Sequence, residues 1–229
     1  MAEILQIDAN TWRLEDGFVR FFLLVGDEKA VLIDSGATCP DAVSLAKTLT
    51  DKPILLLNTH GDGDHTSGNG GFREIYMHEL DYRLCGLQSR FPETSLVPVN
   101  DGDGIDLGNR LLRILFIPGH TKGSIAVLDE KNRVLYAGDT VQKNHIYMFG
   151  DRRDPNAFGP SLDKLIAIKD QYDFIYASHG DFCLPNDYAE KVKAAWQAVR
   201  NGEVGFDSID LHGCTVRSYT AEACGFYLD

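Results

Sequence analysis

Four apolar runs in this chain are each followed, after a short turn, by a histidine or an aspartate. The runs and the side chains that follow them are Ile54–Leu57 with His60, Leu111–Ile117 with His120, Arg133–Tyr136 with Asp139, and Phe174–Tyr176 with His179. Strands of an α/β protein present the residues after their carboxyl ends at one edge of a sheet, where a rigid scaffold holds functional groups. We therefore expect these side chains to converge on one site.

Other segments of the chain alternate between strand and helix patterns. Apolar runs predict strands at Phe18–Val25, Ala30–Ile33, Val127–Leu128 and Thr215–Tyr219, and residues 26–29 join the first two as a hairpin. Helical spacing predicts helices at Pro40–Thr50, capped by Thr38, at Ser161–Lys169 and at Asp187–Arg200. This alternation is typical of the α/β class, in which helices cover both faces of the sheets.

The segment that follows Ile54–Leu57 holds the densest group of polar side chains that can bind a metal ion. His60, Asp62, Asp64 and His65 fall within six positions, and glycines at 61 and 63 allow the backbone to turn tightly. Neighbouring carboxylates repel each other, and a divalent cation removes that cost. Imidazole and carboxylate together suit zinc, and also iron or manganese.

These motifs together resemble the metallo-β-lactamase-fold hydrolase superfamily, whose first motif is His-x-His-x-Asp-His. The matching segments are Val31–Gly36, His60–His65, Pro118-Gly119-His120-Thr121, Gly138-Asp139-Thr140 and Ser178-His179-Gly180. The resemblance covers about residues 18 to 180. It implies a four-layer αββα sandwich with a dinuclear metal site at one sheet edge, and we expect residues 1–229 to form a single domain of this type.

The resemblance also implies roles for individual residues. His60 and His120 would bind a first divalent metal ion, and Asp139 would bridge it to a second. The second ion, like the first most simply zinc, would be bound by Asp64, His65 and His179. Asp64 would in addition act in catalysis by orienting the attacking water. Candidates for orienting the imidazole rings are Asp34, Thr121 and Thr140.

The chain departs from the family motif at Asp62, where the family usually has histidine. Asp62 either ligates the first metal ion or turns away from it. Two divalent ions, two ligand aspartates and one hydroxide carry one net positive charge, and a third carboxylate would cancel it. A neutral site polarises a substrate less and favours iron or manganese over zinc. From the sequence alone, replacing Asp62 by histidine is therefore expected to raise zinc affinity.

The resemblance implies a metal-dependent hydrolase of a small-molecule ester, thioester or lactone, with a metal-bridging hydroxide as nucleophile. Glyoxalase II and the lactonases are similar proteins, although the sequence shows no clear C-terminal helical region for glutathione. The aromatic and basic segment Gln142–Pro160 is the best candidate for contacts with the substrate. Within it, His145 and Tyr147 would form a wall, and Arg152 would hold an anionic group.

Two alternatives belong to other functional classes. Flavodiiron proteins have this fold and carry glutamate at the position of Asp62, which favours a di-iron oxidoreductase. A mononuclear iron site on His60, His120 and Asp139 would instead resemble the persulfide dioxygenases. The third possibility is a metal-poor binding module in which Asp62 has disabled the site.

Charge and cysteine content restrict the partners and the compartment. A formal net charge of −12 disfavours nucleic acid and anionic membranes as partners, because both are polyanions. The sequence has no long apolar segment, no secretory signal and five widely spaced cysteines, so a reducing cytoplasm is expected. The sequence leaves the oligomeric state open.

Overall fold

The strands form three sheets in residues 2–229, the part of the chain that the computed structural model describes. The first sheet has seven strands, which in spatial order are β1 (Glu3–Asp8), β2 (Thr11–Asp16), β3 (Val19–Val25), β4 (Ala30–Ile33), β5 (Ile54–Leu57), β6 (Glu74–Met77) and β7 (Ser95–Pro98). Strands β1 to β4 pair antiparallel, whereas β4 to β7 run parallel. The ends of β4 and β5 therefore lie at the same edge.

The second sheet has six strands, which in spatial order are β14 (Cys183–Pro185), β13 (Phe174–Tyr176), β11 (Val134–Tyr136), β10 (Ile125–Asp129), β9 (Leu111–Phe116) and β8 (Gly104–Asp106). Strand β10 runs antiparallel to both β9 and β11, and β11 is parallel to β13. Strands β9, β11 and β13 consequently point the same way. The residues that follow these strands emerge together at one edge of the sheet.

A third sheet has four strands, one from the middle of the chain and three from near its end. Its strands in spatial order are β12 (His145–Tyr147), β17 (Gly225–Leu228), β16 (Cys214–Thr220) and β15 (Phe206–Leu211). The α-helices are α1 (Ala42–Lys47), α2 (Gly63–Thr66), α3 (Glu79–Leu84), α4 (Leu87–Arg90), α5 (Pro155–Ala167) and α6 (Tyr188–Arg200), with 3₁₀ turns at Asn69–Gly71 and Lys169–Gln171. Among residues 2–229, none of these helices has the length and apolar character to cross a bilayer.

The two large sheets pack face to face, and helices cover their outer faces. Side chains of β3 alternate between the layers, so that Phe22 and Leu24 lie between the sheets while Phe21 and Leu23 pack toward the helices. The second sheet does the same, and α5 and α6 cover its outer side. This arrangement of helix, sheet, sheet and helix confirms the αββα fold that the motifs implied.

A buried arginine, paired with an aspartate of the second sheet, joins the two large sheets. The Arg110 guanidinium donates to Asp129 Oδ2 at 2.6 and 2.9 Å, and both side chains are at most 3% exposed. Arg110 also donates to the backbone oxygen of Asn10 at 2.8 Å and to the Thr11 hydroxyl at 2.9 Å. Asn10 lies in the turn between β1 and β2, and Thr11 is the first residue of β2. One side chain therefore links β10 to the β1–β2 hairpin.

Several predicted elements differ from those observed. The first helix begins after Asp41, which caps it in place of Thr38, because the Asp41 carboxylate accepts from Ser44 N at 3.0 Å. Helix α5 starts at Pro155, six residues before the predicted start, because Asp154 caps it and proline suits the first turn. The segment Gln142–Pro160, the candidate for substrate contacts, contains β12 and the beginning of α5.

Replacing Arg110 by methionine tests the link between the sheets. We expect the free energy of unfolding to fall by about 3–5 kcal/mol, because Asp129 would remain charged and buried without its main partner. Urea denaturation measures the change. The control is Arg113→Met, which removes an ion pair with Glu130 from a half-exposed position and should cost less than about 1 kcal/mol. Equal losses in the two variants would contradict the role given to Arg110.

Candidate metal centre

The polar side chains that follow the strands meet where the edges of the two large sheets adjoin. His60 follows β5 of the first sheet, and Asp64 and His65 lie on the short helix α2 just beyond it. The second sheet contributes His120, Asp139 and His179, after β9, β11 and β13. The backbone ties the two edges together, because Ile125 N donates to Thr59 O at 2.9 Å and Arg20 N donates to Ser178 O at 2.9 Å.

One group of potential ligands consists of His60, His120 and Asp139. One ligand atom from each of these residues lies within 4.8 Å of the others, and all three residues are buried. The Nε2 atoms of His60 and His120 are 3.2 Å apart, and Asp139 Oδ2 lies 3.7 Å from His120 Nε2. All of these atoms point toward a common centre.

A second group consists of Asp64, His65 and His179. The Nε2 atoms of the two histidines are 3.3 Å apart, and Asp64 Oδ2 lies 3.2 Å from His179 Nε2 and 3.6 Å from His65 Nε2. Asp139 reaches both groups: its Oδ2 lies 3.7 Å from His120 Nε2 of the first, and its Oδ1 and Oδ2 lie 3.2 Å from the Nε2 atoms of His65 and His179 of the second. Its carboxylate is therefore shared by both sets of histidines.

Each of the four histidines is held through its Nδ1 atom. His120 Nδ1 lies 3.0 Å from Tyr147 O and His179 Nδ1 lies 2.7 Å from Phe18 O. Since a carbonyl oxygen only accepts, both rings carry their proton on Nδ1. Once Nε2 has lost any proton of its own, its lone pair faces the centre.

Asp34 fixes the other two rings in the same tautomer. Its Oδ2 accepts from His65 Nδ1 at 2.8 Å and from the Thr59 hydroxyl at 2.8 Å. Because that hydroxyl gives its proton to Asp34, its oxygen accepts from His60 Nδ1 at 3.0 Å. The Thr59 amide also donates to Asp34 Oδ1 at 2.8 Å. A single buried carboxylate therefore orients His65 directly and His60 through Thr59.

Thr121 does not orient an imidazole, contrary to the sequence expectation, and no hydrogen bond joins the Thr140 side chain to a histidine among the described residues. The Thr121 hydroxyl instead donates to Asp81 Oδ2 at 2.7 Å. The same carboxylate accepts from Gly61 N at 2.8 Å and Gly123 N at 2.7 Å. Asp81 thus joins the loop that carries His60 to the loop that carries His120. Gly61 packs so closely on Cys85 that a Cβ would not fit there.

Asp62 lies against the first group and pairs with arginine. Its Oδ2 is 3.3 Å from His120 Nε2 and 3.7 Å from His60 Nε2. The Arg153 guanidinium donates to the same oxygen at 2.7 Å, and Arg152 Nη1 lies 3.4 Å from Oδ1. Asp62 therefore faces the centre, and Arg153 binds the same oxygen that faces it.

The clustered charges shift the pKa values of the site. Burial lowers the pKa of His60 well below its usual value, which keeps this ring neutral. Burial also lowers the pKa of His65 and of His179, but neighbouring carboxylates outweigh it. They raise the pKa of His65 well above its usual value and that of His179 to about 10. Burial alone would raise the pKa of Asp139, yet His179 and His65 hold it well below the usual value. A cation that binds this group must therefore displace protons from imidazolium.

The donor set fits divalent metal ions. Two ligands about 2.0–2.1 Å from one zinc ion in tetrahedral geometry are about 3.3 Å apart, close to the 3.2 and 3.3 Å between the paired Nε2 atoms. Asp139 Oδ1 is buried and has no hydrogen-bond donor within residues 2–229. Buried carboxylate oxygens normally have a partner, and a cation at the centre would supply one.

A cavity of about 920 Å³ opens onto the site. His145, Tyr147 and Arg152, the residues that the sequence proposed for substrate contacts, all line it. Phe18 and Tyr227 add further aromatic surface, and the exposed Phe18 ring stacks on His179 with ring centroids 5.9 Å apart. Tyr227 lies on β17, so the third sheet forms part of the wall.

Sequence reasoning missed three residues that support the site. Thr59 and Asp81 carry no recognisable signal, because a threonine in a turn and an aspartate on a helix are common and ordinary. Arg153 was visible in the basic segment, but its partner Asp62 is 91 positions away. Knowing that a third carboxylate needs a compensating charge could have pointed to an arginine in that segment.

Comparison with known sequences identifies one family and several relatives that match over part of their length. A profile described as the Metallo-beta-lactamase superfamily matches residues 14–179. An uncharacterized protein from Aquifex aeolicus is 33% identical over 54% of this chain and 66% of its own length. A hydroxyacylglutathione hydrolase from Synechococcus sp. is 29% identical over 60% of this chain and 52% of its own length. The matched region thus spans only part of both relatives.

Solved structures share the fold at low sequence identity. A metallo-β-lactamase from Pontibacter korlensis superimposes with a TM-score of 0.74 at 18% identity, covering 86% of this chain and 99% of that one. A metallo-β-lactamase from Hirschia baltica gives a TM-score of 0.68 at 17% identity, covering 84% and 96%. These similarities confirm the αββα architecture and do not extend to a substrate.

Replacing Asp34 by asparagine tests the support of the histidines. Asp34 accepts with both oxygens, from His65 and the Thr59 hydroxyl at Oδ2 and from the Thr59 amide at Oδ1. Asparagine has only one acceptor oxygen, so its NH₂ group would face a donor on one side and disturb the support of His65 and His60. We expect the affinity for Zn²⁺ to fall about 10–100-fold, measured by competition with a chromophoric chelator. Asp41→Asn, at the exposed cap of α1, is the matched control. Unchanged affinity in Asp34→Asn would contradict this role.

Proposed function

Because the chain belongs to the metallo-β-lactamase superfamily, we propose that it is a metal-dependent hydrolase of a small-molecule ester, thioester or lactone. The observation that carries the proposal is the Asp139 carboxylate, which contacts both sets of histidines, together with the Nε2 atoms that face it. This arrangement suits a pair of divalent cations at the end of an open cavity.

The proposed ligands follow from the two groups of side chains. His60 and His120 would hold one cation together with Asp139, and Asp62 Oδ2 is near enough to their Nε2 atoms to join them. The second cation would be held by Asp64, His65 and His179, with Asp139 again shared. Zinc is the first candidate because imidazole dominates the donor set, and the additional carboxylates also suit iron or manganese.

The side chains of the site have distinct tasks in the proposed reaction. When bound, the cations would lower the pKa of an attacking water and polarise the substrate carbonyl. Asp64 is the proposed catalytic residue, since its partly exposed carboxylate faces the cavity and can accept a hydrogen bond from that water. Asp34 holds His65 in place as charge develops, so the ligands need no rearrangement during the reaction.

Features of the cavity support a substrate with an apolar part and an anionic part. Tyr147 and His145 provide flat surface, and Arg152 lies beside them with its side chain 43% exposed. The relatives named hydroxyacylglutathione hydrolase favour a thioester among the three substrate classes. Strands β15 to β17 begin at Phe206, outside the region that the family profile matches, so this part of the wall would give the chain its own specificity.

One observation favours a second candidate function. Asp62 Oδ2 lies 3.3 Å from His120 Nε2, so a third carboxylate is available to the first cation. Oxygen-rich sites suit iron, and an iron-dependent oxidoreductase of the flavodiiron or persulfide-dioxygenase type is therefore the alternative.

We further propose that residues 1–229 act as one domain and that the protein works in the cytoplasm, where its five free thiols would stay reduced.

The proposed hydrolysis is tested with a panel of an aryl ester, an acyl thioester and a lactone, assayed with Zn²⁺, Mn²⁺ or Fe²⁺. We expect at least one substrate class to be cleaved, and a chelator to abolish the activity. Asp139→Asn should lower kcat/KM at least about a hundredfold, because both cations lose their shared ligand. Asp173→Asn, in an exposed pair with Arg133, is the control. Activity that survives both the chelator and Asp139→Asn would overturn the proposal.

A further inference from the structure

The position that departs from the family motif is occupied by one half of an ion pair. Asp62 accepts from Arg153 Nη2 at 2.7 Å, and the two side chains are 13% and 9% exposed. Salt bridges on the surface add little to stability. In a pair removed from solvent, however, losing either residue is costly, because the charge of the other is left buried without a partner. The two residues therefore have to be considered together.

The backbone holds Arg153 in this place. Lys122 N donates to Arg152 O at 2.8 Å, and Asp154 N donates to Gly119 O at 2.8 Å. These two bonds fasten the segment around Arg153 to the loop that carries His120. Arg153 Nη1 in addition donates to His120 O at 3.1 Å and lies 3.4 Å from His120 Nε2. The guanidinium is thus held beside His120 of the first group of potential ligands.

We infer that Asp62 and Arg153 act as one unit that takes the place of the usual third histidine; this inference rests on the proposed metal centre. The carboxylate points Oδ2 at the Nε2 atoms of His60 and His120, as a ligand would. Its negative charge would cancel the excess positive charge of a two-cation site, and Arg153 restores that charge. The chain therefore gains an oxygen donor without making the site electrostatically neutral.

The ion pair leads to the opposite expectation for Asp62→His from the one that the motif alone suggests. A histidine at this position would restore the family pattern but would leave Arg153 without its partner, beside His120 and beside a bound cation. Repulsion between the guanidinium and the cation would then weaken binding. Removing the guanidinium as well should relieve this repulsion, so Arg153→Met is expected to rescue Asp62→His.

A double-mutant cycle with Asp62→His, Arg153→Met and their combination tests the unit in two ways. Competition with a chelator gives the affinity for the more weakly bound Zn²⁺, which should fall about tenfold or more in Asp62→His and recover about tenfold in the double variant. Thermal denaturation of the metal-free proteins gives a second measure. Each single variant should lower Tm by about 4 °C or more, and the double variant by clearly less than the sum.

A matched control removes an arginine from the other end of the second sheet. Arg133 precedes β11 and pairs with the exposed Asp173, so Arg133→Met should neither change the metal affinity nor rescue Asp62→His. Zn²⁺ binding by Asp62→His as tight as in the wild type would overturn the inference, and so would additive Tm losses. If the wild type bound no divalent cation, the proposed function would fail, whereas the metal-free cycle would still decide whether the two residues are coupled.

Discussion

The hydrogen bonds of Asp34 are the constraint on which the site depends. The carboxylate follows β4 in a left-handed backbone conformation, with φ of 64°, and reaches His65 directly and His60 through Thr59. An imidazole has one lone pair to offer, and only a fixed Nδ1 proton directs it to a chosen place. Backbone carbonyls of Phe18 and Tyr147 do the same for His179 and His120. The fold thus sets the tautomer of every histidine at the centre.

Charge balance is the second requirement of this site. Carboxylates and imidazoles are packed there with little access to solvent, an arrangement that is costly unless each charge meets an opposite one. Asp139 meets this requirement through His65 and His179, and Asp62 meets it through Arg153. Because the same oxygens face the centre, the groups that stabilise the protein are also those available to a cation. Stability and metal binding are therefore coupled in this chain.

The structure brings together the side chains that the sequence grouped, whereas some surrounding elements gave no signal in the sequence. Strands β4, β5 and β13 have the expected bounds, because continuous apolar runs with buried side chains have few other ways to fold. Strands β1 and β15 carry polar residues and are half exposed, and their pattern gave no clear signal. Contacts between distant segments, such as Asp62 with Arg153 or Thr121 with Asp81, arise only when the loops are brought together. No local pattern encodes them.

Anomalous X-ray scattering from crystals grown with Zn²⁺ or Mn²⁺ tests the central claim most directly, because it locates cations by element. Data collected on both sides of the absorption edge should show one peak bounded by His60, His120 and Asp139, and a second bounded by Asp64, His65 and His179. Density for Asp62 should show whether its carboxylate reaches the first peak while still paired with Arg153. Crystals soaked in excess metal that show no peak within the site, or peaks only at surface carboxylates, would contradict the account.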